Sequence, residues 1–244
     1  MKWVESIPAR SDNYVHALID SETQKVWLID PSEPEPILEW LANHTYQLSG
    51  IYITHHHYDH IEGVPGVIAK YPTSVYAPVK NKIQIPFAHV YLEGSETLLL
   101  DSSFEFQVIA SPGHTQGHIL YYESNHKWLF CGDTFFNLSC GRIFDGTPEQ
   151  LFESLQKISK LDADTQLYCA HEYTLSGFPF CFSLFPDDTD LRTYYEDVLK
   201  KRKAHQPSVP ISLGLAMKVN PYLRAHTFDE FMEIRQKRQS FQST

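Results

Sequence analysis

A mixed α/β region followed by a smaller, mainly helical one is the fold class this sequence predicts. Three observations carry it. Short apolar runs that stop at Asp, Gly or His recur up to residue 171. A helix with a complete capping signal interrupts them at Thr147. From Leu191 the apolar spacing becomes helical, and a second capping signal follows at Thr227. The boundary falls near residue 172, giving regions 1–172 and 173–244.

Val26-Trp27-Leu28-Ile29 is an apolar run ended by Asp30-Pro31-Ser32, the pattern of a buried strand. Pro36 to Leu41 reads as a short helix. Gly50 to Thr54 is β-branched and aromatic and leads directly into Thr54-His55-His56-His57-Tyr58-Asp59-His60. Phe104, Phe106 and Val108 alternate with Glu105 and Gln107, as in a half-buried strand. Trp128 to Cys131 is a further strand, ending at Gly132-Asp133. At Thr147 a helix begins: Thr147 suits the N-cap, Pro148 the first turn and Gln150 the reciprocal capping position. Leu151, Leu155 and Ile158 give this helix an apolar stripe. Leu167 to Ala170 returns to strand and delivers His171.

Ser176 to Pro186 is aromatic-rich and reads as irregular. Leu191, Tyr195, Val198 and Leu199 then fall at helical spacing, with Lys200, Lys201, Arg202 and Lys203 on the far side. Thr227-Phe228-Asp229-Glu230 opens a last helix with Phe231 and Ile234 inward. No internal repeat or low-complexity tract interrupts the chain.

Composition narrows the function classes. The chain has 244 residues, 42% of them hydrophobic, and a net charge of −10. That is enough apolar material for a real core. The negative field opposes nucleic acid and anionic lipid, and admits an anionic small molecule only where basic residues are concentrated. The four cysteines form no C-x-x-C pair, so free thiols in a reducing compartment are expected. No apolar h-region follows Met1, and no apolar run is long enough to span a bilayer. A cytoplasmic monomer is the expectation.

The chemistry concentrates in three places, each after a strand. Four histidines and an aspartate stand within residues 55–60, too dense for a chance polar loop. Alternate residues of an extended segment face the same way, so His55 and His57 share one ion while His56 points elsewhere. A turn after His57 presents Asp59 and His60 to a second ion. In Ser111 to His118, either His114 or His118 can complete the first shell. His114 is preferred because it lies at the strand end, leaving His118 as internal support. Asp133 follows the third strand and offers two oxygens, as a bridging ligand must. His171 closes the second shell.

The expected ligands are therefore His55, His57, His114 and Asp133 on one ion, and Asp59, His60, His171 and Asp133 on the other. Imidazole with carboxylate suits zinc first, and iron or manganese also. Two ions this close would share a water as a bridging hydroxide, with Asp59 and Asp133 as the catalytic carboxylates. No G-x-S-x-G offers a competing nucleophile.

Thr54 to His60, Pro112-Gly113-His114-Thr115, Gly132-Asp133-Thr134 and His171 resemble the metallo-β-lactamase superfamily. Cys140 to Thr147, His171-Glu172-Tyr173-Thr174, Asn220 to Arg224 and Arg235 to Arg238 resemble, more narrowly, the glyoxalase II (hydroxyacylglutathione hydrolase) family. The resemblance spans essentially the whole chain. It implies an αββα sandwich over residues 1–172 carrying the metals, and a helical substrate-binding domain over 173–244. It implies hydrolysis of S-D-lactoylglutathione to glutathione and D-lactate, the second step of methylglyoxal detoxification. It also implies glutathione contacts at Arg142, Tyr173, Arg235 and Arg238, with Phe144 at a position that holds Tyr or Phe in the family. Arg238 stands where Lys is common, and Gly177 and Pro179 where Asn and Lys often stand. Guanidinium forks suit the two carboxylates of glutathione.

Two other readings compete. A glutathione persulfide dioxygenase of the same superfamily would use one iron, but would lack the long helical extension. A non-catalytic metal-binding protein that kept the fold would be expected to have lost a ligand.

Overall fold

In the computed structural model of the chain, which describes residues 1–242, the apolar runs assemble into two sheets stacked face to face, with helices on both outer surfaces. The first sheet runs in chain order. Strands β1 (Lys2–Ala9), β2 (Asn13–Asp20) and β3 (Lys25–Ile29) are antiparallel. Helix α1 (Pro34–Asn43) crosses over to β4 (Gln47–Tyr52), which joins β3 in parallel. Helices α2 (Tyr58–Ile61) and α3 (Gly63–Lys70) lead to β5 (Val75–Pro78), and β6 (Val90–Leu92) closes the sheet.

The second sheet begins as an antiparallel meander of β7 (Thr97–Leu100), β8 (Phe104–Ala110), β9 (Ile119–Glu123) and β10 (Trp128–Gly132). A two-stranded ribbon, β11 (Phe135–Phe136) and β12 (Ser139–Cys140), precedes helix α4 (Pro148–Ser159). Strand β13 (Gln166–Cys169) then pairs with β10 in parallel. After α5 (Thr174–Leu184) and α6 (Thr189–Lys203), the short strand β14 (Ile211–Ser212) adds to β13. Helices α7 (Leu213–Val219), α8 (Pro221–Arg224) and α9 (Phe228–Ser240) complete the described chain.

Strand β2 shows why the layers stack this way. It is buried along its whole length. Val15, Ala17 and Ile19 face Ile37, Leu41, Val64 and Val67 of the helices, while Leu18 faces the other sheet with Trp27, Phe106, Tyr121 and Phe130. The two-residue period of a strand serves two cores at once. Burial of each large side chain between the sheets contributes about 1.5–3 kcal/mol.

Both predicted capping boxes are present, at Thr147 with Gln150 and at Thr227 with Glu230. Three expectations need correction. The segment from Ser176 to Pro186 is not irregular: residues Thr174–Leu184 form α5 with Pro179 inside it. Its aromatics face several sides and give no stripe, and burial of Phe178, Phe180 and Cys181 outweighs the lost hydrogen bond of the proline. In α6 the buried tyrosine is Tyr194; Tyr195 is half-buried, edge-on to Phe178 at 4.9 Å between centroids. Strand β4 stops at Tyr52, although the Ile53 amide still donates to the Tyr76 carbonyl at 2.9 Å, and the chain bends at Thr54.

The residues after 172 share one core with the second sheet. Phe178, Leu191, Val198 and Phe231 pack with Leu129, Leu151, Leu155 and Leu167. Asn220, fully buried, donates to the carbonyls of Phe136 at 2.8 Å and Ser139 at 3.0 Å, and its Oδ1 caps α8.

Gly113 fixes how α4 meets the turn that carries His114. Its φ is +142°, and a Cβ there would lie 2.4 Å from Leu151 Cα. Gly113→Ala should therefore cost about 1–3 kcal/mol through overpacking, read as a lower urea midpoint with unchanged m-value. An unshifted midpoint would show that α4 can move aside.

Candidate metal centre

Every sequence-predicted ligand stands just beyond the carboxyl end of a strand, along one edge of the sandwich. After β4 the chain stays extended at His57, with φ −62° and ψ 144°, and then turns into α2. His55 and His57 thus face one cluster, and Asp59 and His60 enter another from the first turn of α2. His56 leaves this side and accepts from Asn81 Nδ2 at 2.9 Å. The turn after β8 brings in His114, β10 ends in Gly132-Asp133, and β13 ends before His171. Gly132 has φ +47°, and a Cβ there would lie 2.6 Å from both His118 Nε2 and Thr54 Oγ1. Only glycine lets Asp133 swing into the cluster.

Two donor groups hold the predicted ligands, and a third, Asp30 with His55 and His60, lies behind them. Donor atoms of His55, His57, His114 and Asp133 all lie within 4.8 Å of one another, as do those of Asp59, His60 and His171. In the first group His57 Nδ1 lies 3.0 Å from His55 Nε2 and 2.9 Å from His114 Nε2. In the second, His171 Nε2 lies 3.3 Å from Asp59 Oδ2. Asp133 stands between them. Its Oδ2 is 3.4 Å from His114 Nε2, and its Oδ1 is 3.4 Å from His60 Nε2 and 3.3 Å from His171 Nε2.

Surrounding acceptors set the tautomers. His114 Nδ1 donates to the Arg142 carbonyl at 2.7 Å, and His171 Nδ1 to Asp12 Oδ1 at 2.8 Å. His60 Nδ1 donates to Asp30 Oδ2 at 2.9 Å. Thr54 Oγ1 donates to Asp30 at 2.6 Å, so it accepts from His55 Nδ1 at 3.0 Å. With Nδ1 turned outward, each of these four rings directs Nε2 inward, where it can give its lone pair to a metal once any proton there is displaced. His60 Nε2 and Asp133 Oδ1 are buried without a hydrogen-bond partner, and a cation would satisfy both. By donor chemistry and by these orphaned atoms, the residues fit divalent ions.

The electrostatics agree. Burial keeps His55 neutral and pushes His57 down to about 4. At the second group burial also opposes charge, but Asp133 and Asp30 overcome it at His60, while Asp133 and Asp59 raise His171 to about 10. Burial likewise opposes ionisation of Asp133, yet His60 and His171 hold its carboxyl well below the usual range. The second group thus demands positive charge.

Sequence reading missed the supports. Asp30 was visible only as a strand terminator. It sits at φ +52°, accepts the Thr54 amide at 2.7 Å, and holds both Thr54 and His60. Asp12, and Asn13, whose Nδ2 donates to the Asp59 carbonyl at 3.0 Å, carried no local signal. His118 takes the supporting place: its Nε2 accepts the Asp133 amide at 3.1 Å.

Of the expected substrate residues, Phe144 and Tyr173 touch rings of this cluster and Arg142 adjoins it through its carbonyl, while Arg235 and Arg238 contact the ribbon and α5 instead. Phe144 is exposed and edge-on to the His57 and His114 rings, at 4.7 and 5.2 Å. Tyr173, half-exposed, stacks on His171 at 4.8 Å with its plane 2° from parallel. Arg142 is exposed. Arg235 reaches Cys140 Sγ at 3.6 Å, and Arg238 lies over the Phe180 ring at 5.1 Å.

Two family models match the chain: the metallo-beta-lactamase superfamily over residues 17–171, and the hydroxyacylglutathione hydrolase C-terminus over 172–243. The hydroxyacylglutathione hydrolase of Bdellovibrio bacteriovorus is 42% identical over 243 residues, covering 96% of each chain. That of Pectobacterium carotovorum subsp. carotovorum is 44% identical, covering 92% of this chain and 87% of its own. Among solved structures, ETHE1 from Myxococcus xanthus superposes with a TM-score of 0.72 at 22% identity, over 97% of this chain and 90% of that one. That last likeness speaks to the fold.

The charge pattern has a consequence for pH. Without metal, His171 titrates near 10 and His60 also lies well above its ordinary value, so both are protonated at neutral pH. An ion at Nε2 must displace those protons, so affinity should rise with pH. Between pH 8 and 6 chelator competition should show at least about a tenfold loss of affinity per unit for the pH-sensitive ion. Affinity independent of pH would contradict the protonated metal-free state.

Proposed function

The chain belongs to the hydroxyacylglutathione hydrolases of the metallo-beta-lactamase superfamily, and we propose that it hydrolyses S-D-lactoylglutathione to glutathione and D-lactate at a centre of two ions, zinc first among the candidates. The observation that carries this reading is the Asp133 carboxylate, with one oxygen directed at each group of donors. His55 Nε2, His57 Nδ1, His114 Nε2 and Asp133 Oδ2 would hold one ion. Asp59 Oδ2, His60 Nε2, His171 Nε2 and Asp133 Oδ1 would hold the other. When bound, such ions activate water and polarise a carbonyl oxygen.

The protein's own residues do the rest. Asp59 is held ionised because His171, His60 and Asn13 outweigh its burial, so its carboxylate stays an acceptor that can hold and orient a water beside the donor groups. Phe144 and Tyr173 cover the rings of ligands from both groups and leave an aromatic mouth, which orients the acyl group and sheds water. Arg142, Arg235 and Arg238 supply the cationic positions for the glutathione carboxylates. None of the three forms an ion pair among the described residues, whereas Arg10, Arg202 and Arg224 do. The reading includes a cytoplasmic monomer that binds neither nucleic acid nor membrane. The net charge of −10 supports that exclusion, and no helix among the described residues is long and apolar enough to cross a membrane.

Steady-state assays on S-D-lactoylglutathione beside a simple non-glutathione thioester should give a kcat/KM preference of orders of magnitude for the former. One firmly bound iron, with oxygen uptake on glutathione persulfide, would sink the thioesterase reading. Asp133→Ala should lose metal and activity together; retention of both would remove it as the bridge. Arg235→Ala should raise KM much more than it lowers kcat, because it holds a remote part of the substrate. An unchanged KM would return Arg235 to a packing role over Phe231.

A further inference from the structure

Glu172 lies between His171 and Tyr173, and the proposed chemistry leaves it without a role. Its carboxylate is directed at the junction with the helical region. Oε2 accepts from Tyr14 OH at 2.7 Å and from the Ser208 amide at 2.8 Å, while Oε1 accepts from Ser208 Oγ at 2.7 Å. Arg202 Nη1 lies 3.5 Å from Oε2 and also donates to Tyr14 OH at 3.2 Å and to the Gln206 carbonyl at 2.7 Å. The Glu172 side chain is only 10% exposed.

The donors form a directed chain. Ser208 Oγ gives its proton to Glu172, so it accepts from Thr174 Oγ1 at 2.6 Å. Thr174 in turn accepts from Asn137 Nδ2 at 3.1 Å, and that same amide reaches Tyr194 OH at 2.8 Å. Asn137, Thr174, Ser208, Tyr194 and Tyr14 are all buried. One buried charge therefore organises donors from the first sheet, from the turn after β11, and from the α6–β14 connection. Such networks hold geometry tightly when every member is satisfied.

Residues 170–174 are gripped from the other side as well. The Glu172 amide donates to the Asp12 carbonyl at 2.8 Å, the Tyr14 amide to the Ala170 carbonyl at 2.7 Å, and Asn13 bridges His171. This short segment presents His171 Nε2 to the second donor group and stacks the Tyr173 ring on His171.

We infer that Glu172 is a positioning residue: by anchoring the helical region to residues 170–174, it sets the second metal position and the Tyr173 ring together. A group that only filled space could be apolar. A buried carboxylate with four donors around it fixes direction as well as distance, at the cost of desolvating a charge. The inference rests on the proposed reading of His171 as a ligand.

Metal stoichiometry of the unaltered chain comes first, followed by chelator titration and steady-state kinetics of Glu172→Gln and Ser208→Ala. In Glu172→Gln the second ion should leave at about tenfold lower chelator concentration while the first is held as before. KM for S-D-lactoylglutathione should rise severalfold with a smaller change in kcat. Ser208→Ala, which leaves Glu172 its bonds to the Ser208 amide and Tyr14, should shift both readouts the same way by less, and it carries the test if Glu172→Gln does not fold. Equal loosening of both ions, or an unmoved KM with only a lower melting temperature, would reduce Glu172 to a packing role and overturn the inference. Fewer than two ions in the unaltered chain would sink the dinuclear reading and the inference with it; two ions in both variants, held with unaltered affinity, would sink the inference alone.

Discussion

The structure depends on one costly placement, the Asp133 carboxylate buried among converging imidazoles. A buried carboxylate is tolerable only with opposite charge close by, and imidazoles with inward lone pairs supply none unless they are protonated or share a cation. Everything around the cluster is arranged to keep those lone pairs inward: the Arg142 carbonyl behind His114, Asp30 behind His60 and Thr54, and Asp12 behind His171. The donors also come from strands of both sheets, so the sheets must be locked at this edge. Three bonds do so: Ile119 amide to Thr54 carbonyl, Tyr121 hydroxyl to Ile53 carbonyl, and Tyr14 amide to Ala170 carbonyl, at 3.0, 2.8 and 2.7 Å. The layered core between the sheets is what makes that edge rigid.

The direct donors were legible because strand geometry is a local rule. A two-residue period explains why His55 and His57 converge and His56 does not, and a turn after His57 explains Asp59 and His60. The capping boxes at Thr147 and Thr227 were legible for the same reason, since their chemistry lies within four residues. The supports behind the ligands were not. Asp12 meets His171 across a sequence separation of 159 residues, and Asp30 meets His60 across 30. No local pattern separates such an aspartate from an ordinary turn residue. Helix α5 was hidden differently: aromatics on several faces leave no periodicity, and Pro179 argues against helix until burial is counted.

The helical region is part of this construction. It completes the core on the outer face of the second sheet, and buried Asn220 fastens it to the β11–β12 ribbon that follows Asp133. The ribbon leads directly to Arg142 and Phe144, and α9 sets Arg235 against Cys140 within it. The residues proposed to contact substrate and those proposed to hold metal are therefore joined to one core, and under that reading a change in helical docking would be felt at both.

That coupling bears on how an acidic chain can hold an anion. Asp12, Asp30, Asp59 and Asp133 gather negative charge at the centre, and the whole chain carries −10. A thioester with two carboxylates would be repelled unless cations intervene. The ions the donor groups would hold supply part of the remedy. Under the proposed reading the arginines would supply the other part, and their partners decide whether they can. Arg10, Arg202 and Arg224 are each matched to Glu or Asp, so their charge is spent within the fold. Arg235 is held instead by Cys140 sulfur and the Phe231 ring, and Arg238 by Phe180 and Phe241. Aromatic faces and sulfur fix a guanidinium in place without neutralising it. A cation that is immobilised and still unpaired is what recognition of a carboxylate in a negative field requires. Among the described residues neither α9 arginine has a carboxylate partner, and the half-buried Arg235 meets this requirement more closely than the exposed Arg238.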